Sequence, residues 1–139
     1  MASIIYNSSI TDTINHAITF DVDSFKFMLV GAGYVPDALA HFRRSDITHE
    51  VVGAGYVADG LPTIATVVTD LANARVDVSF GAVEWTNSTI DARGGVLYKA
   101  RGASPADDEL VAYVDFGVSR KTNNGLFRVT FSSPYRYQM

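Results

Sequence analysis

The residues of this 139-residue chain that could carry chemistry are its histidines, carboxylates and serines, and their spacing is the first thing to weigh. His49-Glu50 opens like H-E-x-x-H, in which two imidazoles one helical turn apart hold zinc and the glutamate activates water. Gly53 stands where the second imidazole has to be, and His16 and His41 supply no alternative spacing. Asp21-Val-Asp23 starts like a calcium loop. Lys26 then occupies the position where glycine makes the sharp turn, and Ala32 the position of the bidentate glutamate. Asp77, Glu84 and Asp91 offer carboxylates for a glycosidase pair, because strands can bring distant residues together, yet their spacing singles out no pair. Asp107-Asp108-Glu109 reads as a solvated acidic turn. No serine lies in a G-x-S-x-G elbow, and Gly117-Val-Ser119 runs straight on into Arg120-Lys121. The expectation is a chain with no catalytic residues, no metal and no cofactor, and therefore not an enzyme.

Gly53-Ala-Gly55-Tyr-Val-Ala58 satisfies the loose G-x-G-x-x-G/A fingerprint of dinucleotide sites. That fingerprint works only between a strand and a helix whose amino terminus meets the pyrophosphate. Here Asp59-Gly60-Leu61-Pro62 follows, which cannot open a long helix, so these glycines read as backbone bends. The hexapeptide Val30–Val35 recurs letter for letter at Val52–Val57, but the flanking segments do not match, so the echo is read as coincidence. In the first copy Pro36 takes the third glycine position.

Composition narrows the class. The length suits one domain, residues 1–139, and 47% apolar residues provide material for a core. Eleven basic against fifteen acidic residues give a net charge of −4. No basic stripe is present to displace counterions from phosphates, so nucleic acid is not an expected partner. Absence of cysteine excludes disulfides and thiolate chemistry. No apolar run approaches the roughly 18 residues of a membrane span, and the amino terminus lacks the features of a signal peptide. Membrane attachment is not expected.

Alternation of apolar and polar residues predicts the elements. In Arg75–Phe80, Val76, Val78 and Phe80 fall on one side and Arg75, Asp77 and Ser79 on the other, the period of a half-buried strand. The only tryptophan, Trp85, follows, then a polar turn at Thr86–Thr89 and a second strand at Gly95–Lys99. Gly94-Gly95 is read as a bend before that strand. Phe25–Gly31 is apolar on both faces, so it is predicted to be doubly buried or to lie in an interface. Further strands are expected at Ser3–Tyr6, Thr63–Val68, Leu110–Phe116 and Phe127–Phe131, with a hairpin turn at Asp70–Asn73 and another hairpin closed by Asn124-Gly125. Ile10, Ile14, Ala17 and Ile18 share one helical face, capped by one of Asn7, Ser8, Ser9, Thr11 or Asp12. Residues 31–62 form a long irregular excursion with a helical turn after Pro36 and a short strand at Ile47–Val52, covering one end of the sheets or reaching a partner. About six to nine short strands with one short helix make an all-β fold: a β-sandwich, a jelly roll or a small barrel.

Aromatic and arginine side chains in loops and at the tail are the remaining signal. Tyr and Arg suit interfaces because they combine large contact area with a polar tip. Tyr34, Arg43, Arg44, Tyr56, Tyr135, Arg136 and Tyr137 are the candidate partner-binding residues. Arg43-Arg44 also reads as a solvated or salt-bridged turn beside Asp46 and Glu50, and the tail as packing on its own domain.

Taken in order, the start MASIIYNSSI, the strand TFDVDSFKFMLV, RRSDITHEV followed by GAGY, VDVSF with VEWTNSTIDARGGVLYK, DELVAYVDFG and the end TNNGLFRVTFSSP run through the whole chain. In these segments the chain resembles a family of small virion proteins of tailed bacteriophages, with Gly31-Ala-Gly33 as a departure. The resemblance implies a jelly-roll-type β-sandwich with one short N-terminal helix. It further implies a capsid cement or decoration protein, made in the host cytoplasm, that binds the outside of a shell of HK97-like major capsid protein and stabilises it between capsomers. A homo-oligomer, dimer or trimer, is expected, with pairing of sheet edges as its simplest route. Phe25–Gly31 and Gly95–Lys99 are the strands expected to supply contacts. The alternative is a receptor- or glycan-binding module on the virion head or tail.

Overall fold

The computed structural model describes residues 4–131 together with the backbone of residues 135–138. Its strands are β1 (Ile4–Ile5), β2 (Phe25–Val30), β3 (Leu61–Thr63), β4 (Ala65–Asp70), β5 (Arg75–Phe80), β6 (Val83–Ser88), β7 (Asp91–Lys99), β8 (Leu110–Lys121), β9 (Gly125–Val129) and β10 (Tyr135–Gln138). One helix, α1 (Asn7–Ile14), joins β1 to the rest, and single 3-10 turns lie at Arg44–Asp46 and Pro105–Asp107. All strand pairs are antiparallel. They form a five-stranded sheet in the order β1-β8-β7-β2-β3, a three-stranded sheet β10-β5-β4 and the pair β6-β9. The fold is all-β and sandwich-like with one short N-terminal helix, as the alternation predicts.

The five-stranded sheet is buried on both faces, and its sequence dictates this. In β2, Phe25, Phe27 and Leu29 enter one core with Val78, Phe80, Trp85 and Phe127 of the facing strands. Met28 and Val30, on the opposite face, enter a second core with Tyr6, Tyr34, Val96, Tyr98, Leu110 and Tyr113. That second core is roofed by α1 and the first part of the excursion, from which Tyr34 and Ile47 enter it, while Val51, Tyr56 and Leu61 of the later part pack on the first core. Gly95 lies against the Phe27 ring and Gly94 against the Tyr113 hydroxyl, where any β-carbon would overlap them. The two glycines are sites of close approach inside a continuous β7, not a bend before it.

Other local expectations are corrected. The turn expected at Thr86–Thr89 is instead the end of β6, which carries a register shift between Trp85 and Ser88 with Asn87 at φ 48°. A bulge puts polar residues in a strand without ending it. Asn124-Gly125 does not close a β8–β9 hairpin: β9 crosses to the other layer and pairs with β6, Trp85 opposite Phe127 and Val83 opposite Val129. Those four side chains share one core, which outweighs the local turn signal. The crossing is pinned by the Thr122 amide donating to Ile90 O (2.8 Å) and by Ser88 Oγ donating to Gly125 O (2.9 Å). Residues Ile47–Val52 make only a bridge, Glu50 to Val30, and no strand. The strand expected at Thr63–Val68 is split at Ile64 into β3 and β4.

The helix departs most from its pattern. It stops at Ile14, short of Ala17 and Ile18, and begins after Tyr6 with no side-chain cap. Its buried residue is Ser9, whose hydroxyl donates to Tyr6 O at 2.7 Å, while Ile10 and Ile14 are 40% and 70% exposed. The shared apolar face is broken up: Ile10 and Ile14 point out from the helix, and Ile18, beyond its end, is buried.

Candidate interaction surface

The roof over the second core is locked down by charge. Arg44 reaches inward from the turn after Arg43, its Nε donating to Asp108 Oδ2 and its Nη1 to Asp59 Oδ1, each at 2.7 Å. Its guanidinium lies over the Tyr98 ring, 5.2 Å from the centroid. Asp108 also accepts the Arg101 amide at 2.9 Å. Glu50 accepts the Tyr56 hydroxyl at 2.6 Å and the Asp59 amide at 2.7 Å, and the Tyr56 hydroxyl accepts the Leu29 amide at 3.1 Å. Residues far apart in the excursion are thereby tied to β2, β7 and the segment before β8. Asp108 and Glu109 are buried and paired, which corrects the reading of Asp107-Asp108-Glu109 as a solvated turn.

Under the roof lies a tyrosine cluster. The Tyr6 and Tyr34 hydroxyls are 2.7 Å apart, and the Tyr34 hydroxyl is 2.9 Å from His41 Nδ1. Tyr98 donates its hydroxyl proton to Asp59 O. Burial pushes the Tyr34 phenol up to about 12 and drives those of Tyr6, Tyr56 and Tyr98 higher still. These phenols stay protonated across the physiological range and act as fixed donors.

The Arg101–Glu109 pair gives the assembly a pH response. Burial alone would raise the Glu109 carboxyl, but two hydrogen bonds from Arg101, at 2.7 and 2.6 Å, outweigh it and hold the group below its usual range. A folded-state value below the unfolded one means stability that is present above the unfolded value and lost as pH falls through the folded one. Urea midpoints measured between pH 6 and pH 3 should therefore fall with acid, and the fall should be shallower in Glu109→Gln. The two slopes differ by at most one proton, about 1.4 kcal/mol per pH unit. Equal slopes would show that Glu109 does not carry the effect. Asp12 works in the opposite sense, because burial holds its carboxyl above the usual range despite Arg43 at 3.6 Å.

Of the candidate partner-binding residues, Tyr34 is 2% exposed and Arg44 is engaged by internal carboxylates, so neither presents a surface to a partner. Tyr56 is half-buried, stacked 5.7 Å from Trp85. Arg43 keeps a partly exposed head beside Asp12. The backbone of Tyr135, Arg136 and Tyr137 pairs with β5, and their side chains lie outside the described residues. Phe25–Gly31 and Gly95–Lys99, expected to supply contacts, belong to β2 and β7, inner strands covered on both faces.

What the roof does present is apolar. Val35, Leu39 and Phe42 of the excursion are 66%, 74% and 50% exposed, and Ile10 and Ile14 add to them from α1. The Asn7 amide donating to Ala38 O (2.8 Å) fixes α1 beside the Leu39–Phe42 turn. Side chains of this size exposed on one capping layer make it the candidate contact surface. Sequence reasoning overlooked them because it favoured Tyr and Arg; a helical stripe with a serine at its inward position was the signal that could have found Ile10 and Ile14.

The carboxylates singled out in the sequence are dispersed among strands. Asp77, Glu84 and Asp91 lie on β5, β6 and β7 beside Arg75, Arg128 and Lys121 respectively. Among the described residues no group of three His, Asp or Glu side chains is placed to hold a metal ion. His49 sits in the excursion with its Nδ1 2.9 Å from Thr48 Oγ1. Compared with protein-family models, curated proteins and solved structures, the chain matches none.

Proposed function

We propose that this protein is a structural component of a tailed-bacteriophage virion, a cement or decoration protein that binds the outside of the major capsid shell and stabilises it between capsomers. The ordered segments from MASIIYNSSI to TNNGLFRVTFSSP motivate the virion assignment. The observation that carries the mechanical role is the roof: exposed Val35, Leu39 and Phe42 on a layer held to the sheet by Arg44, Glu50 and Tyr56. A rigid layer with outward apolar side chains loses little conformational entropy on docking. Repetition over a symmetric shell then multiplies modest contacts. On this reading the chain works as a homo-oligomer, with the major capsid protein as its partner and the outer capsid surface as its location.

Heating virions assembled with and without the protein tests this. Particles lacking it, or carrying Leu39→Asp together with Phe42→Asp, should release DNA at a lower temperature. Identical melting and full DNA retention would overturn the proposal.

A second reading, a receptor- or glycan-binding module, draws on an open groove of about 410 Å³ between the end of β8 and β9, lined by Phe116, Arg120, Leu126 and Arg128. Cryo-electron microscopy of the same particles separates the two: a chain lying flat between capsomers with its roof covered favours cement, and a groove projecting free into solvent favours recognition.

A further inference from the structure

We infer that β4 is a self-pairing edge through which two copies of this chain join their three-stranded sheets into one six-stranded sheet. This names a surface for the homo-oligomer part of the proposed function and stands without the capsid part.

A sheet edge exposes unpaired amides and carbonyls that template another strand, and proteins blunt such edges by shortness, proline or charge. The other described edges are blunted, and the stretch of β8 beyond its two-residue pairing with β1 is interrupted by Asp115, Gly117, Arg120 and Lys121. β1 has two residues, β3 has three and contains Pro62, and β10 has four. β6 and β9 carry Glu84 and Arg128. By contrast β4, Ala-Thr-Val-Val-Thr-Asp, ends the order β10-β5-β4 and is uncharged until Asp70. It is β-branched at Thr66, Val67, Val68 and Thr69, the side chains that best suit a pleated surface. Its outer face is open and its inner face only partly covered: Val68, opposite Asp77, is 50% exposed and Val67, opposite the buried Val78, is 42% exposed, with Ile64 at 79% before the strand and Leu71 at 87% after it.

The strand's own pattern fits a second copy as the occupant, because self-pairing avoids opposed carboxylates. Each copy carries −4, so association is opposed wherever like charges meet. A closed two-fold antiparallel pairing sets one residue opposite its own copy, because directly opposite residues must share the same hydrogen-bonding state. With the axis at Val67, Asp70 faces Ile64; with the axis at Val68, it faces Thr66. Neither register opposes two carboxylates, and both set valine and threonine against valine and threonine. The strand is thus its own complement, as an isologous interface requires.

The test uses the purified full-length chain. Sedimentation equilibrium should show a monomer–dimer equilibrium, and Val67→Lys should shift it to monomer; Val67 is 42% exposed but stands opposite the buried Val78, so its thermal melt is recorded alongside. A strip this short is small against the roughly 1,200–2,000 Å² of a standard interface, so the concentration series should extend to about 1 mM. The chain has no cysteine, so single substitutions report cleanly. Opposite Cα atoms across a strand pair, about 4.5–5.5 Å apart, suit a disulfide. Mild oxidation should link Val67→Cys or Val68→Cys into dimers, and should not link Val118→Cys on exposed β8. A wild-type monomer throughout the series overturns the inference, as does a dimer that survives Val67→Lys or links only through Val118→Cys. Should Val67→Lys fail to fold, the cysteine pattern alone decides. Virion melting is not involved, so failure here and failure of the cement proposal are separable.

Discussion

Replacing Arg44 by methionine should lower the unfolding free energy by about 3–5 kcal/mol, the usual cost of breaking a buried ion pair from one side. Methionine keeps the length of the apolar stem and removes the guanidinium. Asp108, 3% exposed, is then left with the Arg101 amide as its remaining partner, a charge in a low-dielectric site with half its support gone. Asp59 loses its cation at the same time. Lysine should not rescue, because a single ammonium cannot reach Asp108 and Asp59 from opposite sides of a planar group while lying over Tyr98. Adding Asp108→Asn to Arg44→Met should recover part of the loss, and a double-mutant cycle from urea unfolding gives the coupling. Amides of residues 50–60 should exchange faster in Arg44→Met while those of β2 and β7 keep their protection. A loss below about 0.5 kcal/mol would show that Asp108 finds other compensation.

The second large effect is expected at Trp85. Truncation to alanine should cost about 3–5 kcal/mol, the range for a large aromatic removed from a closed core. Trp85 is 2% exposed, stacked on Tyr56 and edge-on to Phe127 at 6.1 Å between centroids. Trp85 joins the β6-β9 pair to the excursion through Tyr56, so alanine should also loosen Tyr56 and with it the hydrogen bonds to Glu50 and Leu29. Phenylalanine should cost far less. Trp85 Nε1 is buried without a hydrogen-bond partner, so the smaller ring removes a donor that water no longer satisfies. Circular dichroism melts of the two variants check this. An alanine variant as stable as wild type would mean that the core collapses around the gap.

Much of the architecture was legible from period alone. Double burial of β2 followed from apolar residues on both faces, and the alternation of Val76, Val78 and Phe80 placed β5 correctly. What misled were residues whose local preference lost to tertiary packing. Asn124 takes a positive φ of 50° but Gly125 does not, so no tight two-residue turn forms, and the partner of β9 is chosen by Phe127 and Val129, which need the core that Trp85 and Val83 already occupy. On α1 the period of Ile10 and Ile14 was real, but it records an exposed face rather than a buried one. Periodicity reports which residues share a side, not what that side meets. For the candidate surface the sequence pointed to residue types rather than places. Tyr34 and Arg44 are of interface type, and both are consumed inside the protein because Asp108, Asp59 and Tyr6 come from segments that only the fold brings near.

The pairing of charges has a thermodynamic consequence. Nearly every lysine and arginine among the described residues stands beside a carboxylate of its own chain, with Lys26 and Arg120 as the exceptions. On the proposed reading, a protein that has paired most of its cations internally and turned valine, leucine and isoleucine outward would associate by shedding water rather than by exchanging ions. Its contacts should tolerate salt, weaken in the cold and carry a negative heat-capacity change.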